Sequence, residues 1–412
     1  MSDALMNKCM AAKGAFPILA TSTGEKRNKA ISLMADALEK DMALILEANA
    51  KDLKNAKAAG IRSTLIDRLV LTEDRIKGIA NSLRKVSALP DPLGGGTVWT
   101  RPNGMRIRKV RVPIGLIAII YEARPNVTAD AAAICVKSGN ACVLRGGKEA
   151  VLSSIAIVNS IRGALKEAGL PEDCVQIVED TTRESSNRLM TMNGVVDLLI
   201  PRGGRSLIRA VVDNATVPVI ETGAGNCHVY VEKSADVDMA LSLVYNAKMS
   251  RPSVCNAAES LLVDRDIAAS FLPALKAHMP DVELRGCEET VAILGDITPA
   301  TDEDHYTEYN DYIMSVKVVS GIEEAISHIN EHNTKHSELI VTKDTFAADR
   351  FTAAVDASAV YVNVSTRFTD GEEFGFGAEI GISTQKFHAR GPMGPDELTT
   401  FKYVIEGNGQ IR

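Results

Sequence analysis

Apolar positions recur at intervals of three and four along residues 1–90. Between Gly24 and Asn49, the residues Ile31, Met34, Leu38, Met42 and Leu46 fall on one stripe of an α-helix. Ile76, Ile79, Leu83 and Val86 repeat the stripe between Thr72 and Leu89. The segment is therefore expected to be helical, with one helix over 24–49, until Pro90, Pro92 and Gly94-Gly95-Gly96 open a loop. The period then shortens. Residues 98–101 and 105–113 flank Pro102-Asn103-Gly104, a hairpin signal. The second arm, M-R-I-R-K-V-R-V-P, largely alternates apolar and basic residues, as a strand with one dry and one wet face does. Such a strand suits a sheet extended towards a second subunit, and a solvated edge hairpin fits it nearly as well.

Beyond residue 114, short continuous apolar runs alternate with helical stretches. Strands are expected at 115–121, 141–144, 175–178, 195–200 and 218–220, with helices at 128–137, 149–168, 182–192 and 205–212. The alternation resumes with strands at 228–231, 261–263, 282–284, 312–319, 338–342 and 359–362. The helices between them are expected at 237–249, 267–278, 322–330 and 345–354. Buried β-branched runs alternating with helices predict parallel sheets covered on both faces, here in two successive α/β units. In such sheets ligands bind beyond the carboxyl ends of the strands. Arg145-Gly146-Gly147-Lys148 and Pro201-Arg202-Gly203-Gly204 both fall there. The tail from 374 is glycine-rich and extended only at 400–405.

Composition narrows the function classes. A chain of 412 residues is too long for one compact core. A net charge of −7 argues against a general nucleic-acid or membrane-surface binder, and an aromatic content of 4% against base-stacking platforms. The 7 cysteines are odd in number and form no C-x-x-C pair, so neither a disulfide framework nor a zinc knuckle is expected. With no secretory signal and no apolar run approaching the ~20 residues that cross a bilayer, a reducing, cytoplasmic setting is expected.

Candidate chemistry centres on residues 249–260, M-S-R-P-S-V-C-N-A-A-E-S. Pro252 suits the first position of a short helix and Ser250 its cap. Cys255 would then sit among unpaired N–H groups that lower a thiol pKa, the preparation of a nucleophile. A buried cysteine used as a small hydrophobe is the competing account. Arg145, Gly146, Gly147 and Lys148 place two cations and two flexible residues between a strand end and a helix start, which suits a phosphate such as the 2′-phosphate of NADP. Glycines that merely turn the chain are the alternative. G-x-G-x-x-G is absent, and Gly223-Ala224-Gly225 and Gly375-Phe376-Gly377 are incomplete forms. Asn126 could offer an amide N–H to a developing oxyanion, or simply occupy a turn. Glu221 is a candidate base or a turn cap. His305 and Glu308 have a spacing that can suit a metal, but they lie in an acidic loop expected to be solvated, and no metal is expected.

The succession A-R-P-N, L-R-G-G-K-E-A, I-P-R-G-G, E-T-G-A-G-N-C-H and R-P-S-V-C-N-A-A-E-S resembles the γ-glutamyl phosphate reductase branch of the aldehyde dehydrogenase superfamily. The resemblance covers essentially the whole chain. It implies an aldehyde-dehydrogenase-like α/β fold with a Rossmann-type NADP-binding domain (1–96 with the N-terminal helices, and 114–227). A second α/β domain carries catalysis (228–365), followed by a glycine-rich return segment (366–399). A β-hairpin completed by the C-terminal strand serves oligomerisation (97–113 and 400–412). Cys255 matches the family nucleophile and Asn126 its oxyanion asparagine. Arg145 stands where relatives carry a cofactor-binding lysine, with Gly146, Gly147, Lys148, Gly203 and Gly204 around the cofactor. Glu308 matches the glutamate that holds the nicotinamide ribose.

Two departures matter. I-P-R-G-G replaces the usual turn under the pyrophosphate. Glu221 matches a general base that activates water, a step which a reductase releasing an aldehyde avoids. The implied reaction is NADPH-dependent reduction of L-glutamyl 5-phosphate to L-glutamate 5-semialdehyde, with release of phosphate, through a Cys255 thioester in proline biosynthesis. Arg251 (from its proximity to the nucleophile), His305 and Glu221 are expected near the substrate. A homo-oligomer and a functional association with a glutamate 5-kinase are also implied. A dehydrogenase that hydrolyses its acyl-enzyme, and a nucleotide-binding regulatory protein without catalysis, remain the rival readings.

Overall fold

The computed structural model describes residues 4–61 and 63–412. The chain divides into two compact units, residues 1–222 with 375–381 and 387–412, and residues 223–374 with 382–386.

The first unit begins with helices Ala4–Ala20 (α1), Gly24–Lys40 (α2), Met42–Ala58 (α3), Ser63–Leu69 (α4) and Glu73–Ala88 (α5). The single helix expected over 24–49 is two. Asp41 leaves the helical region at φ −92° and ψ 12°, and its amide caps α2 by donating to the carbonyls of Ala37 and Glu39. Strands Gly96–Thr100 (β1) and Arg106–Pro113 (β2) form the expected antiparallel hairpin. β2 is not an edge, because the C-terminal strand Thr399–Glu406 pairs along its whole length, from Thr399 opposite Pro113 to Glu406 opposite Arg106.

The alternating part of this unit runs Leu116–Tyr121 (β3), Pro125–Lys137 (α6), Ala141–Arg145 (β4), Val151–Glu167 (α7), Val175–Ile177 (β5), Arg183–Met190 (α8), Leu198–Arg202 (β6) and Arg205–Asn214 (α9). The strands form a four-stranded parallel sheet ordered β5-β4-β3-β6. β3 shows why its run is continuously apolar. Ile117, Ile119 and Tyr121 join the core beneath α2, α5, α6 and α7, while Leu116, Ala118 and Ile120 pack with Leu5, Cys9, Leu189 and Val211 on the other face. The strand expected at 218–220 is reduced to one bridge, Val219 to Leu199.

The second unit runs Cys227–Val231 (β7), Val237–Met249 (α10), Ala258–Asp264 (β8), Arg265–His278 (α11), Glu283–Gly286 (β9), Glu288–Leu294 (α12), Thr298–Pro299 (β10), Ile313–Val319 (β11), Ile322–His332 (α13), Ser337–Val341 (β12), Thr345–Ala354 (α14) and Ala359–Val362 (β13). Its seven-stranded sheet is ordered β10-β9-β11-β8-β7-β12-β13, parallel throughout. Val229, Val231, Leu261 and Val263 fill one face, and Tyr230 and Leu262 the other. α12 and β10 are additions that the periodicity did not predict.

Candidate active site

In the second unit α10 ends at Met249 and β8 begins at Ala258, and the chain between them is irregular. No helix starts at Pro252. Ser250 is instead the C-cap of α10, still helical at φ −62° and ψ −38°, and its Oγ donates back to the Asn246 carbonyl at 2.6 Å. The amide of Ala257 donates to the Val254 carbonyl at 3.0 Å, closing a tight turn around Cys255. Because α10 continues to the edge of the turn, the helix-terminal N–H groups expected beside the thiol are absent. Cys255 is partly exposed, whereas Cys9, Cys135, Cys142, Cys174 and Cys227 are buried.

Other segments of the same unit hold the turn. Gly225 lies so close that a Cβ there would collide with the Cys255 carbonyl, which only glycine avoids. Cys227 Sγ donates to that carbonyl at 3.1 Å. Burial, with Glu338 and other acidic neighbours, pushes the Cys227 thiol well up, so it stays protonated and a donor. Asn256 Nδ2 donates to the carbonyls of Arg367 (3.1 Å) and Thr369 (3.0 Å), and Thr366 Oγ1 donates to the Asn256 carbonyl at 2.8 Å. Arg367 in turn reaches Ser250 Oγ through Nε at 3.0 Å and Asn256 Oδ1 through Nη1.

Glu308 belongs to this assembly, since its Oε1 accepts from the Gly225 amide at 2.8 Å. Arg251 is exposed on the turn itself. His305 is placed elsewhere. Its carbonyl accepts from Asn226 Nδ2 at 2.7 Å, but its ring packs edge-on to His328 (centroids 4.9 Å apart). That ring lines a cavity of about 510 Å³ with Cys287, Lys317, His328 and His332. The expectation of His305 at the substrate therefore has no geometric support beside Cys255. Among the described residues, no group of three or more histidines, cysteines or carboxylates is arranged to hold a metal.

In the first unit the remaining candidates gather at the carboxyl ends of adjacent strands. Arg145 ends β4, and its guanidinium donates to the carbonyls of Thr181 (2.5 Å), Thr182 (3.1 Å) and Gly146 (3.2 Å). Burial lowers its pKa, against the pull of Asp180 and Glu149. Gly146 lies against the Tyr121 ring, and Lys148 is exposed at the start of a 3-10 turn. Asn126 is exposed in the first turn of α6, where its Nδ2 donates to Asp130 Oδ2 at 3.3 Å. Burial pushes the Asp130 carboxyl up to about 7. Glu221 is half-buried, just past the bridged edge residue Val219.

Gly203 and Gly204 lead from β6 into α9, and the Gly204 amide holds Glu122 Oε2 at 2.9 Å. This turn already receives an anion: a carboxylate occupies backbone N–H at a helix N-terminus. A side chain on Gly203 would strike that carboxylate, and Arg145 Nε is buried without a hydrogen-bond partner. These residues fit a phosphate-bearing dinucleotide. Glu122, Asn256 and Arg367 were missed in the sequence, and Gly225 stood out there only as part of an incomplete glycine motif.

The model of the aldehyde dehydrogenase family matches residues 2–318. A gamma-glutamyl phosphate reductase from Clostridium perfringens is 57% identical over 415 residues, covering 100% of both chains. The crystal structure of a gamma-glutamyl phosphate reductase from Thermotoga maritima superposes with a TM-score of 0.97 at 48% identity, covering 100% of both chains. An engineered glycolyl-CoA reductase with bound NADP+ shares the fold, at 16% identity over 97% of this chain and 96% of its own, with a TM-score of 0.71. The chain belongs to the aldehyde dehydrogenase family, in its γ-glutamyl phosphate reductase branch.

Proposed function

We propose that the chain reduces L-glutamyl 5-phosphate to L-glutamate 5-semialdehyde with NADPH, in proline biosynthesis, using Cys255 as the nucleophile. The branch membership supports the substrate and the use of a nicotinamide cofactor. One observation carries the site assignment. The amide of Gly225 takes the Glu308 carboxylate while its Cα lies against the Cys255 backbone. A single residue thus positions both the thiol that receives the acyl group and the carboxylate suited to the nicotinamide ribose.

The Cys255 thiolate attacks the acyl carbon. An S–C bond forms, the C–O bond to phosphorus breaks, and its electron pair leaves on phosphate. The Asn126 side-chain amide and the Cys255 N–H meet the oxyanion, where one donor is worth ~3 kcal/mol. The nicotinamide, when bound, supplies the hydride; Arg145, Gly146, Gly147, Lys148, Gly203 and Gly204 hold its nucleotide and Glu308 its ribose. Collapse of the oxyanion then breaks the C–S bond, returning the thiolate and releasing aldehyde. Glu221 has no water to activate in this sequence and borders the substrate with Arg251.

The three-stranded sheet exposes Val98, Trp99, Tyr403 and Ile405, which supports its use in a homo-oligomer. Among the described residues no helix is long and apolar enough to cross a membrane. A cytoplasmic enzyme working beside a glutamate 5-kinase is the reading we adopt. The test is NADP+ reduction with glutamate 5-semialdehyde and inorganic phosphate. Turnover should require phosphate and vanish in Cys255→Ser while NADPH binding persists. Substantial turnover in that variant refutes the nucleophile, and phosphate-independent turnover favours a hydrolysing dehydrogenase.

A further inference from the structure

We infer that Arg367 is a further catalytic residue of the Cys255 site: its guanidinium, fixed between Ser250 and Asn256, receives the phosphate of the acyl phosphate as it leaves. The inference rests on the reaction proposed above.

The placement is specific. Arg367 lies in the 3-10 turn Thr366–Phe368, far from Cys255 in sequence, and that turn is sewn to the nucleophile turn from both sides. Asn256, the residue after Cys255, receives the Thr366 hydroxyl on its carbonyl and gives its amide to the Arg367 and Thr369 carbonyls. The Arg367 side chain then returns across the turn to Ser250 and Asn256. Its head is thereby held beside Cys255 without needing to be ordered by substrate.

The charge around it is incomplete. Both acceptors are neutral, and among the described residues Arg367 makes no ion pair. Arg251 lies close by, and burial together with that second cation holds the Arg367 pKa down, against the pull of Cys255 and Asp370. A guanidinium cannot shed its proton at physiological pH, so a half-buried one beside another cation is stabilised further when an anion arrives. Two of its five N–H groups are used, and Nη2 carries neither bond. The two N–H groups of Nη2 and the second N–H of Nη1 remain to meet phosphate oxygens. As the S–C bond forms, the C–O electron pair passes to phosphate, which takes a proton from water. Arg367 meets that growing charge, with the exposed Arg251 alongside.

A brace that merely stiffens the turn is the competing role, and it predicts a different kinetic signature. The test uses the full-length enzyme with glutamate 5-semialdehyde, NADP+ and inorganic phosphate as the probe. Phosphate-dependent turnover of the wild type controls for the underlying reaction; without it, both readings fall. With it, Arg367→Gln should raise the KM for phosphate about 10- to 100-fold, the range for losing a charged hydrogen-bond donor, and leave the KM for NADP+ unchanged. Arg367→Lys should recover part of the loss, and millimolar guanidinium should lower the phosphate KM of the Gln variant.

Phosphate should also slow alkylation of wild-type Cys255 by iodoacetamide, and protect neither variant as well. If the Gln variant fails to fold, the Lys variant decides on the same two readouts. A phosphate KM within threefold of wild type, or equal protection of Cys255, overturns the assignment while leaving the proposed reaction intact.

Discussion

Lys248 and Glu259 form an ion pair, 2.5 Å apart, with both side chains fully buried. Glu259 lies on β8, four residues past Cys255, and its other oxygen accepts the Asn310 amide at 3.1 Å. Burial pushes Glu259 up to about 7 and Lys248 down, each against its own charge, and each partner opposes the shift of the other. In Lys248→Met the lowering influence on Glu259 is gone, so the carboxyl is carried into the folded state protonated. An unfolded glutamate ionises from its ordinary value of 4.5. Relative to the unfolded chain this costs about 1.4 kcal/mol for each pH unit above 4.5. Wild-type Glu259, at about 7, bears the same cost up to that pH and escapes it above, so the variant falls behind wild type by under ~0.5 kcal/mol at pH 7 and by ~1.4 kcal/mol at pH 8. The sign follows from proton counts: the folded variant holds a proton that the unfolded chain has lost, so stability falls as pH rises through this window.

Melting curves at pH 6 and pH 8 test this. The variant should melt about 3–6 °C below wild type at pH 8 and close to it at pH 6. The double variant Lys248→Met with Glu259→Leu removes both charges and should regain most of the loss, as buried ion pairs replaced by apolar residues do. It also frees the Asn310 amide, two residues past Glu308, so the KM for NADPH should rise while stability returns. A deficit that does not grow between pH 6 and pH 8, or a double variant as unstable as the single one, refutes this account of the pair.

Gly225→Ala forces a Cβ into the Cys255 backbone, and a displaced nucleophile should cost kcat about 100-fold; unimpaired turnover would show that the contact positions nothing. His328 is 4% exposed. Burial, with the nearby His332, His228, Lys317 and His305, lowers its pKa to about 2. Its folded value is depressed and the unfolded chain takes the proton, so stability is lost as pH falls below 6.5, by ~2 kcal/mol at pH 5. His328→Phe should flatten that loss in urea titrations at pH 5 and 7.5, and an unchanged slope would refute it. Glu122 occupies the Gly204 amide, so Glu122→Ala should tighten NADPH binding about three- to tenfold in a fluorescence titration; weaker or equal binding would mean that the carboxylate does not compete with the cofactor.

The architecture was legible wherever a residue's neighbours in sequence decide its environment. Runs such as residues 116–121 are buried on both faces because helices cover both faces of their sheet, and nothing but a parallel strand explains such a run. Legibility ended where one residue broke a continuous pattern. Asp41 interrupts a stripe that still looks helical from Ile31 to Leu46, because the bond that ends α2 is made by backbone. The strand pairing across β2 joins residues some 300 apart in sequence, beyond any local period. In the site the glycine turns and Cys255 stood out through composition. Asn256 and Arg367 did not, since each acts through individual polar bonds to distant segments.

The helix expected at Pro252 would have stabilised the Cys255 thiolate with a fixed dipole, whose charge cannot follow the reaction. The turn that stands there carries Arg251, with Arg367 within electrostatic reach of both Arg251 and Cys255. Before attack the negative charge is on sulfur; after it, sulfur is neutral and the charge is on phosphate, one S–C–O span away. A dipole aimed at sulfur would oppose that transfer, since it favours the state before attack. A guanidinium reaching both positions favours neither end, and its N–H fork suits phosphate oxygens better than sulfur. The charge that prepares the nucleophile is then the charge that accepts the leaving group, and the site is biased towards acyl transfer from phosphate.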